Sequence, residues 1–329
     1  MSADKTSISR RGLLSTATFA VAGLAAASSL AIPQPARARA PLASRQIAGV
    51  YRTRAGGFEI TAVLDGFIDL NSSVFSGAPQ AEIDAAILAG FVDPAKLRLG
   101  ITTYILNDGE RTILVDAGAA GFFGAGAGRI LANLEAAGIK PEAVDVVLLT
   151  HMHLDHTGGL LTGGKAVFPN AEVVVSEADV AFWADTANAA TAPEIAKPAF
   201  AYNASVVKAY PKFTRHKGTG EVVKGISALA LPGHTVGHSG YIIGTGNDRL
   251  VIAGDTVFLL SVSFPRPETR IMFDSDADAA LKTRKMLLDM LATDRLLMAA
   301  THLPFPTFGR VARAGTGYAF VADEWRHEL

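Results

Sequence analysis

Two mixed β-sheets packed face to face, with helices on their outer faces, are the fold this sequence predicts. Three observations lead there. Short apolar runs rich in β-branched and aliphatic residues recur along the chain, several in hairpin-like pairs. Helical patterns interrupt them. From Ala40 onward no linker, composition break, low-complexity tract or solenoid-length repeat divides the chain, so residues 41–329 read as one domain.

The strand-like runs come in order as 58–70 ("FEITAVLDGFIDL"), 102–106, 111–116, 144–150 ("VDVVLLT") and 171–176. A second series follows at 226–231, 240–244, 249–254, 295–300 and 318–322. Between them, 80–91, 128–137 and 177–186 carry helical patterns, and "DADAALKTRKMLLDML" from Asp276 to Leu291 is amphipathic at helical spacing.

Composition narrows the function. With 49% hydrophobic and 19% charged residues, the 329-residue chain can bury a core and is not disordered. A net charge of −1 argues against a nucleic-acid partner, whose phosphates need a basic surface. The absence of cysteine excludes disulfides, thiolate-ligated zinc, a cysteine nucleophile and a lipoprotein anchor. At the N-terminus, Arg10 and Arg11 precede an apolar, Ala-rich run from Leu13 to Ile32, with small-x-small sites ending at Ala38 and Ala40. This layout predicts a twin-arginine-type signal peptide over 1–40. It implies export to the periplasm or beyond, with no stable membrane insertion after cleavage.

The chemistry concentrates at strand ends. "THMHLDHTGGL" (150–160) places three of the chain's eight histidines and an aspartate within six positions. Imidazole and carboxylate are the donors that bind zinc and its neighbours, so His-x-His-x-Asp-His predicts a metal site. In an extended chain His151 and His153 point the same way, while Asp155 and His156 begin a turn in which Gly158 and Gly159 permit close backbone approach. His234, Asp255 and His302 each follow a later apolar run. Seven donors, His151, His153, Asp155, His156, His234, Asp255 and His302, are one short of two tetrahedral sets, so a carboxylate shared between two ions completes the count.

At these residues the sequence resembles the metallo-β-lactamase superfamily, whose fold is an αβ/βα four-layer sandwich. The resemblance implies that His151, His153 and His234 hold one ion and Asp155, His156 and His302 the other, with Asp255 bridging and Asp116 supporting from behind. Asp255 stands where some β-lactamases use cysteine, and His153 where flavin-linked di-iron members use glutamate. "VDAGAAGFFG", "FPNAEVVVSEADVAFW", "GHTVGHSGY", "FDSDADAALKTRKM" and "THLPFPTFGRVARAGTGYAFV" are similar to methyl parathion hydrolases and their lactonase and aryl esterase relatives. That likeness implies a homodimeric hydrolase with two divalent ions, zinc by default and manganese, cobalt or iron as alternatives. A hydroxide shared by the ions would attack neutral, partly apolar organophosphate triesters, aryl esters or lactones. Rival readings are an acyl-homoserine lactonase, a glyoxalase-II-like thioesterase, a β-lactamase and a non-catalytic metal-binding scaffold.

Other residues are weighed in the same way. His238 either orients a ligand or caps a turn, and His216 and His327 read as surface residues. The resemblance places Phe123 and Trp183, and with less support Phe200, along the substrate pocket. "GLLTGGKA" (159–166) nearly spells a phosphate-binding loop but has Ala166 where the magnesium-binding hydroxyl is needed. The glycine-rich stretch 118–128 lacks dinucleotide-binding spacing and reads as a tight loop beside the active site.

Overall fold

Alternation along the central strands decides the layers. In the run Val146 to Leu149, Val146 and Leu148 face one core while Val147 and Leu149 face another. Leu250 and Ile252 likewise face the core that Val146 shares, and Val251 and Ala253 face away from it. Strands apolar on both faces must be covered on both, and each fully buried Val, Leu or Ile stabilises by about 1.5–3 kcal/mol.

These residues belong to a computed structural model that describes Ala40 and residues 42–329, apart from 195 and 247. The export signal expected over 1–40 lies outside the described residues, except for Ala40. One compact unit spans Ile47–Leu329. Among the described residues no helix is long and apolar enough to cross a membrane.

The first sheet has seven strands in the order Val50–Ala55, Phe58–Leu70, Leu97–Asn107, Thr112–Val115, Val146–Leu148, Glu172–Ser176, Phe213–His216. Its first four pair antiparallel and the rest parallel. The second runs Gly220–Val223, Ile226–Ala230, Ser239–Ile243, Leu250–Ile252, Leu297–Ala299, Gly309–Ala314, Gly317–Ala322. It is antiparallel except between Leu250–Ile252 and Leu297–Ala299. Ile60, Tyr104, Val146 and Val174 of one sheet share a core with Ile226, Tyr241, Ile252 and Ala299 of the other. Helices Ile130–Ala136, Glu177–Ala184 and Lys197–Ala209 cover the outer face of the first sheet, and Ala277–Asp294 that of the second. The predicted αβ/βα sandwich is the fold observed.

Two local expectations resolve differently. The near phosphate-binding loop is a hairpin, Leu161–Thr162 against Lys165–Ala166, turned by Gly163 and Gly164 with φ of 57° and 76°. Both glycines adopt the left-handed conformations of a two-residue hairpin turn, so no phosphate cradle forms. His216 ends an edge strand half-buried, with both ring nitrogens out of water, so it is not simply a surface residue. His327 is exposed, as expected.

Candidate metal centre

Strand ends deliver the donors to one edge of the sandwich. Val146–Leu148 runs into Thr150, whose N–H and hydroxyl both donate to Asp116, at 2.8 Å each. Asp116 follows the neighbouring parallel strand Thr112–Val115 and holds a left-handed φ of 59°. For a non-glycine residue that costs about 1–3 kcal/mol, which its hydrogen bonds offset. After Thr150 the chain passes through His151 and His153 and enters the single turn Leu154–Thr157, which carries Asp155 and His156. The expected close approach occurs at Gly159, where an added Cβ would lie 1.9 Å from the Ala117 carbonyl oxygen. His234 sits on the loop after Ile226–Ala230, Asp255 in the turn after Leu250–Ile252, and His302 beyond Leu297–Ala299.

The seven predicted donors come together in two sets. One atom each from His151, His153 and His234 form the first, and one each from Asp155, His156, Asp255 and His302 form the second, with the atoms of each set within 4.8 Å of one another. In the first, His153 Nδ1 lies 3.0 Å from both His151 Nε2 and His234 Nε2. Asp255 faces both sets. Its Oδ2 is 3.0 Å from His302 Nε2 and 3.3 Å from His234 Nε2, and its Oδ1 is 3.2 Å from His156 Nε2.

Three of the rings are aimed by what lies behind them. The outward Nδ1 of His156 meets Asp116 Oδ2 at 2.8 Å, that of His234 meets Asp274 Oδ1 at 3.0 Å, and that of His302 meets the Gly100 carbonyl at 2.7 Å. With the Nδ1 proton kept by that partner, each ring would turn its Nε2 lone pair inward to a cation, as metal-binding histidines do. His238 does a different job. Its Nδ1–H donates to the Leu231 carbonyl at 3.0 Å and its Nε2 accepts the Asp255 N–H at 2.9 Å, so a neutral imidazole fixes the backbone of the shared carboxylate.

Charge is spread unevenly over these rings. Burial and the His234 charge push His238 down to about 3, which keeps it neutral. Burial, with neighbouring imidazoles, also holds His151 and His153 well below the ordinary range. At His234 burial is outweighed by Asp255 and Asp274, which raise it to about 9. Asp255 is depressed despite its burial by His302 and His156. Within this cluster His156 Nε2 and Asp255 Oδ1 are buried with no hydrogen-bond partner. Converging ring nitrogens beside orphaned carboxylate oxygen need a cation, and nitrogen-plus-oxygen donors suit zinc and its neighbours, so the residues fit two divalent ions.

Sequence reasoning missed the groups that brace this cluster. Asp274 and Arg284 are buried together at 3.6 Å, and Arg284 also donates to the carbonyls of Thr256 (2.7 Å) and Thr269 (2.5 Å). Asp65, the extra residue where the register shifts in Phe58–Leu70, accepts the N–H groups of Ala119, Gly128 and Ile130 at 2.9–3.1 Å. It thereby pins both ends of the 118–128 loop, which passes His156 through the Ala117 N–H to His156 carbonyl bond of 2.7 Å. That loop exposes Phe122 and Phe123, at 43% and 41%. Phe122 sits edge-on to Tyr202 at 4.9 Å. Trp183 and Phe200 are buried instead. Their rings pack 4.7 Å apart, and Trp183 lies 5.7 Å from the His153 ring, behind a donor.

Known proteins resemble this chain in sequence and fold. N-acyl homoserine lactonase of Bacillus cereus is 24% identical over 249 residues, 69% of this chain and 91% of its own length. Among solved structures, the hydrolase AbOPH of the β-lactamase superfamily superposes with a TM-score of 0.80 at 34% identity, covering 86% of this chain and 100% of that one. AidC, a dizinc quorum-quenching lactonase solved with its product, shares the fold with a TM-score of 0.79 at 24% identity, over 85% of this chain and 99% of its own. Residues 98–302, more than half of the chain, match the metallo-β-lactamase superfamily, and to that superfamily, as a metal-dependent hydrolase, this chain belongs.

Proposed function

We propose that the chain hydrolyses neutral, partly apolar esters, with N-acyl homoserine lactones foremost and aryl esters and organophosphate triesters as further members of the class. The observation that carries this is the pairing of two donor sets around Asp255 with an aromatic loop, Phe122 and Phe123, anchored beside His156. The similarity to acyl-homoserine lactonases supports the lactone within that class.

His151, His153 and His234 would hold one divalent ion and Asp155, His156 and His302 the other, with Asp255 serving both. When bound, the two ions supply Lewis acidity and make a water acidic enough to attack near neutral pH. Asp255 is placed to orient that water and accept its proton. The water oxygen bonds to the carbonyl carbon, the ring C–O bond breaks, and the proton passes to the departing alkoxide, leaving a hydroxy acid. Phe122 and Phe123 offer flat apolar faces and no charge, so they favour an acyl or aryl group over an unpaired anion, whose desolvation costs several kcal/mol.

Steady-state hydrolysis by metal-replete protein of N-hexanoyl homoserine lactone, phenyl acetate, an aryl phosphotriester, a glutathione thioester and a β-lactam tests this. The neutral substrates should exceed the two anionic ones at least tenfold in kcat/KM. A preference for the thioester would move the assignment to the glyoxalase-II-like alternative, and no turnover of any of them would favour a metal-binding scaffold. We further propose periplasmic delivery by the Arg10–Arg11 signal.

A further inference from the structure

Asp179 lies in the first turn of helix Glu177–Ala184, is fully buried, and is not one of the seven donors. Its two oxygens are divided between two loops. Oδ2 accepts the Met152 N–H at 2.9 Å, and Oδ1 accepts the Gly237 N–H at 2.8 Å. Met152 stands between His151 and His153, and Gly237 three residues after His234. One carboxylate therefore ties together the two loops that supply the three-histidine set, while the donors of the other set hang from separate contacts through Asp116, Gly100 and His238.

The surroundings leave this brace little play. Asn203 donates to the Met152 carbonyl at 2.7 Å, so that residue is held by its N–H and by its carbonyl. Gly237 comes so close that an added Cβ would lie 2.5 Å from Asp179 N and 2.9 Å from its Oδ1. The loop reaches the carboxylate because the residue there has no side chain. Only an ionised carboxylate presents acceptors at both ends. An asparagine would turn its NH2 group toward one of the two N–H donors and release that loop.

We propose that Asp179 is a positioning residue that sets the spacing of His151 and His153 against His234 and so governs affinity for one of the two ions but not the other. This rests on the dinuclear reading above. The test is stepwise zinc loading of the metal-free, full-length mature protein against a chromophoric chelator, with cobalt(II) absorption recorded at each equivalent, for the parent and Asp179→Asn. The parent should take up two equivalents. Asp179→Asn should bind one with parental affinity and the other about 10–100-fold more weakly, with the cobalt spectrum of that equivalent altered.

Equal weakening of both equivalents, or of neither, overturns the proposal. A parent that takes up a single equivalent refutes the dinuclear reading instead, and the brace then stands or falls on whether Asp179→Asn weakens that one. Should Asp179→Asn fail to fold, Gly237→Ala carries the test, because its methyl group pushes the same loop off the same carboxylate. Selective loss is expected there too, and unselective or absent loss counts against the brace.

Discussion

Removing the Asp255 side chain takes a donor from both sets at once, while its backbone N–H still has His238 to receive it. Asp255→Ala is therefore expected to lower kcat/KM at least about 100-fold with far-UV circular dichroism unchanged. Near-parental turnover at saturating metal would show that the shared carboxylate is dispensable. The aromatic residues divide differently. Phe123 is 41% exposed, so Phe123→Ala should raise KM several-fold and leave stability within about 0.5 kcal/mol, whereas Trp183, 6% exposed behind His153, should cost about 3–5 kcal/mol on truncation to alanine. Urea unfolding alongside Michaelis kinetics separates the two, and a Trp183→Ala protein of parental stability would place that ring in the pocket rather than in the core. All seven donors were legible in the sequence, four because they crowd into His-x-His-x-Asp-His and three because each follows an apolar strand-like run. Asp179 was not, since an acid in a helix's first turn is ordinary. The available signal was its place on the buried face with Val180 and Trp183.

Helix Ala277–Asp294 carries the best example of an element whose value lies in one buried charge. Arg284 holds the Thr256 and Thr269 carbonyls and neutralises Asp274, which in turn aims His234. Arg284→Met should destabilise by about 3–5 kcal/mol, because it strands a buried carboxylate, and calorimetry should record the loss as a lowered Tm. A Tm unchanged within error would mean that Asp274 finds another partner. The sequence revealed this helix through its amphipathic pattern, and the central strands through their apolar runs. It did not reveal the edge strands Val50–Ala55, Phe213–His216 and Gly220–Val223, or Gly309–Ala314 next to the far edge, where polar residues face water and dilute the alternation. Helix Lys197–Ala209 also escaped, with Pro198 in its first turn and Asn203 facing inward to hold Met152. Predicted strands ran long at their functional ends: 144–150 shortens to Val146–Leu148, because Thr150 gives its N–H to Asp116 rather than to a ladder.

For the whole molecule, ions bound only by the native state stabilise it by mass action, about 4 kcal/mol for each ion present at a thousandfold excess over its Kd. Exhaustive chelation should therefore lower Tm clearly, with recovery on adding back zinc, and a chelator-insensitive melt would argue against ions buried in these sets. Export belongs to the same scale. Replacing Arg10 and Arg11 by lysine should hold the precursor in the cytoplasm, as cell fractionation would show, and unchanged periplasmic delivery would remove the twin-arginine route. The way the donors are apportioned between the sheets carries a further consequence. His151, His153, Asp155 and His156 hang from the first sheet and His234, Asp255 and His302 from the second, so neither set is complete on one sheet. A folding intermediate with both sheets formed but not yet docked offers only part of each set, so tight capture of the ions becomes a late event that reports docking. Once caught, they act as a latch, and in excess chelator the protein should give them up no faster than its two halves come apart.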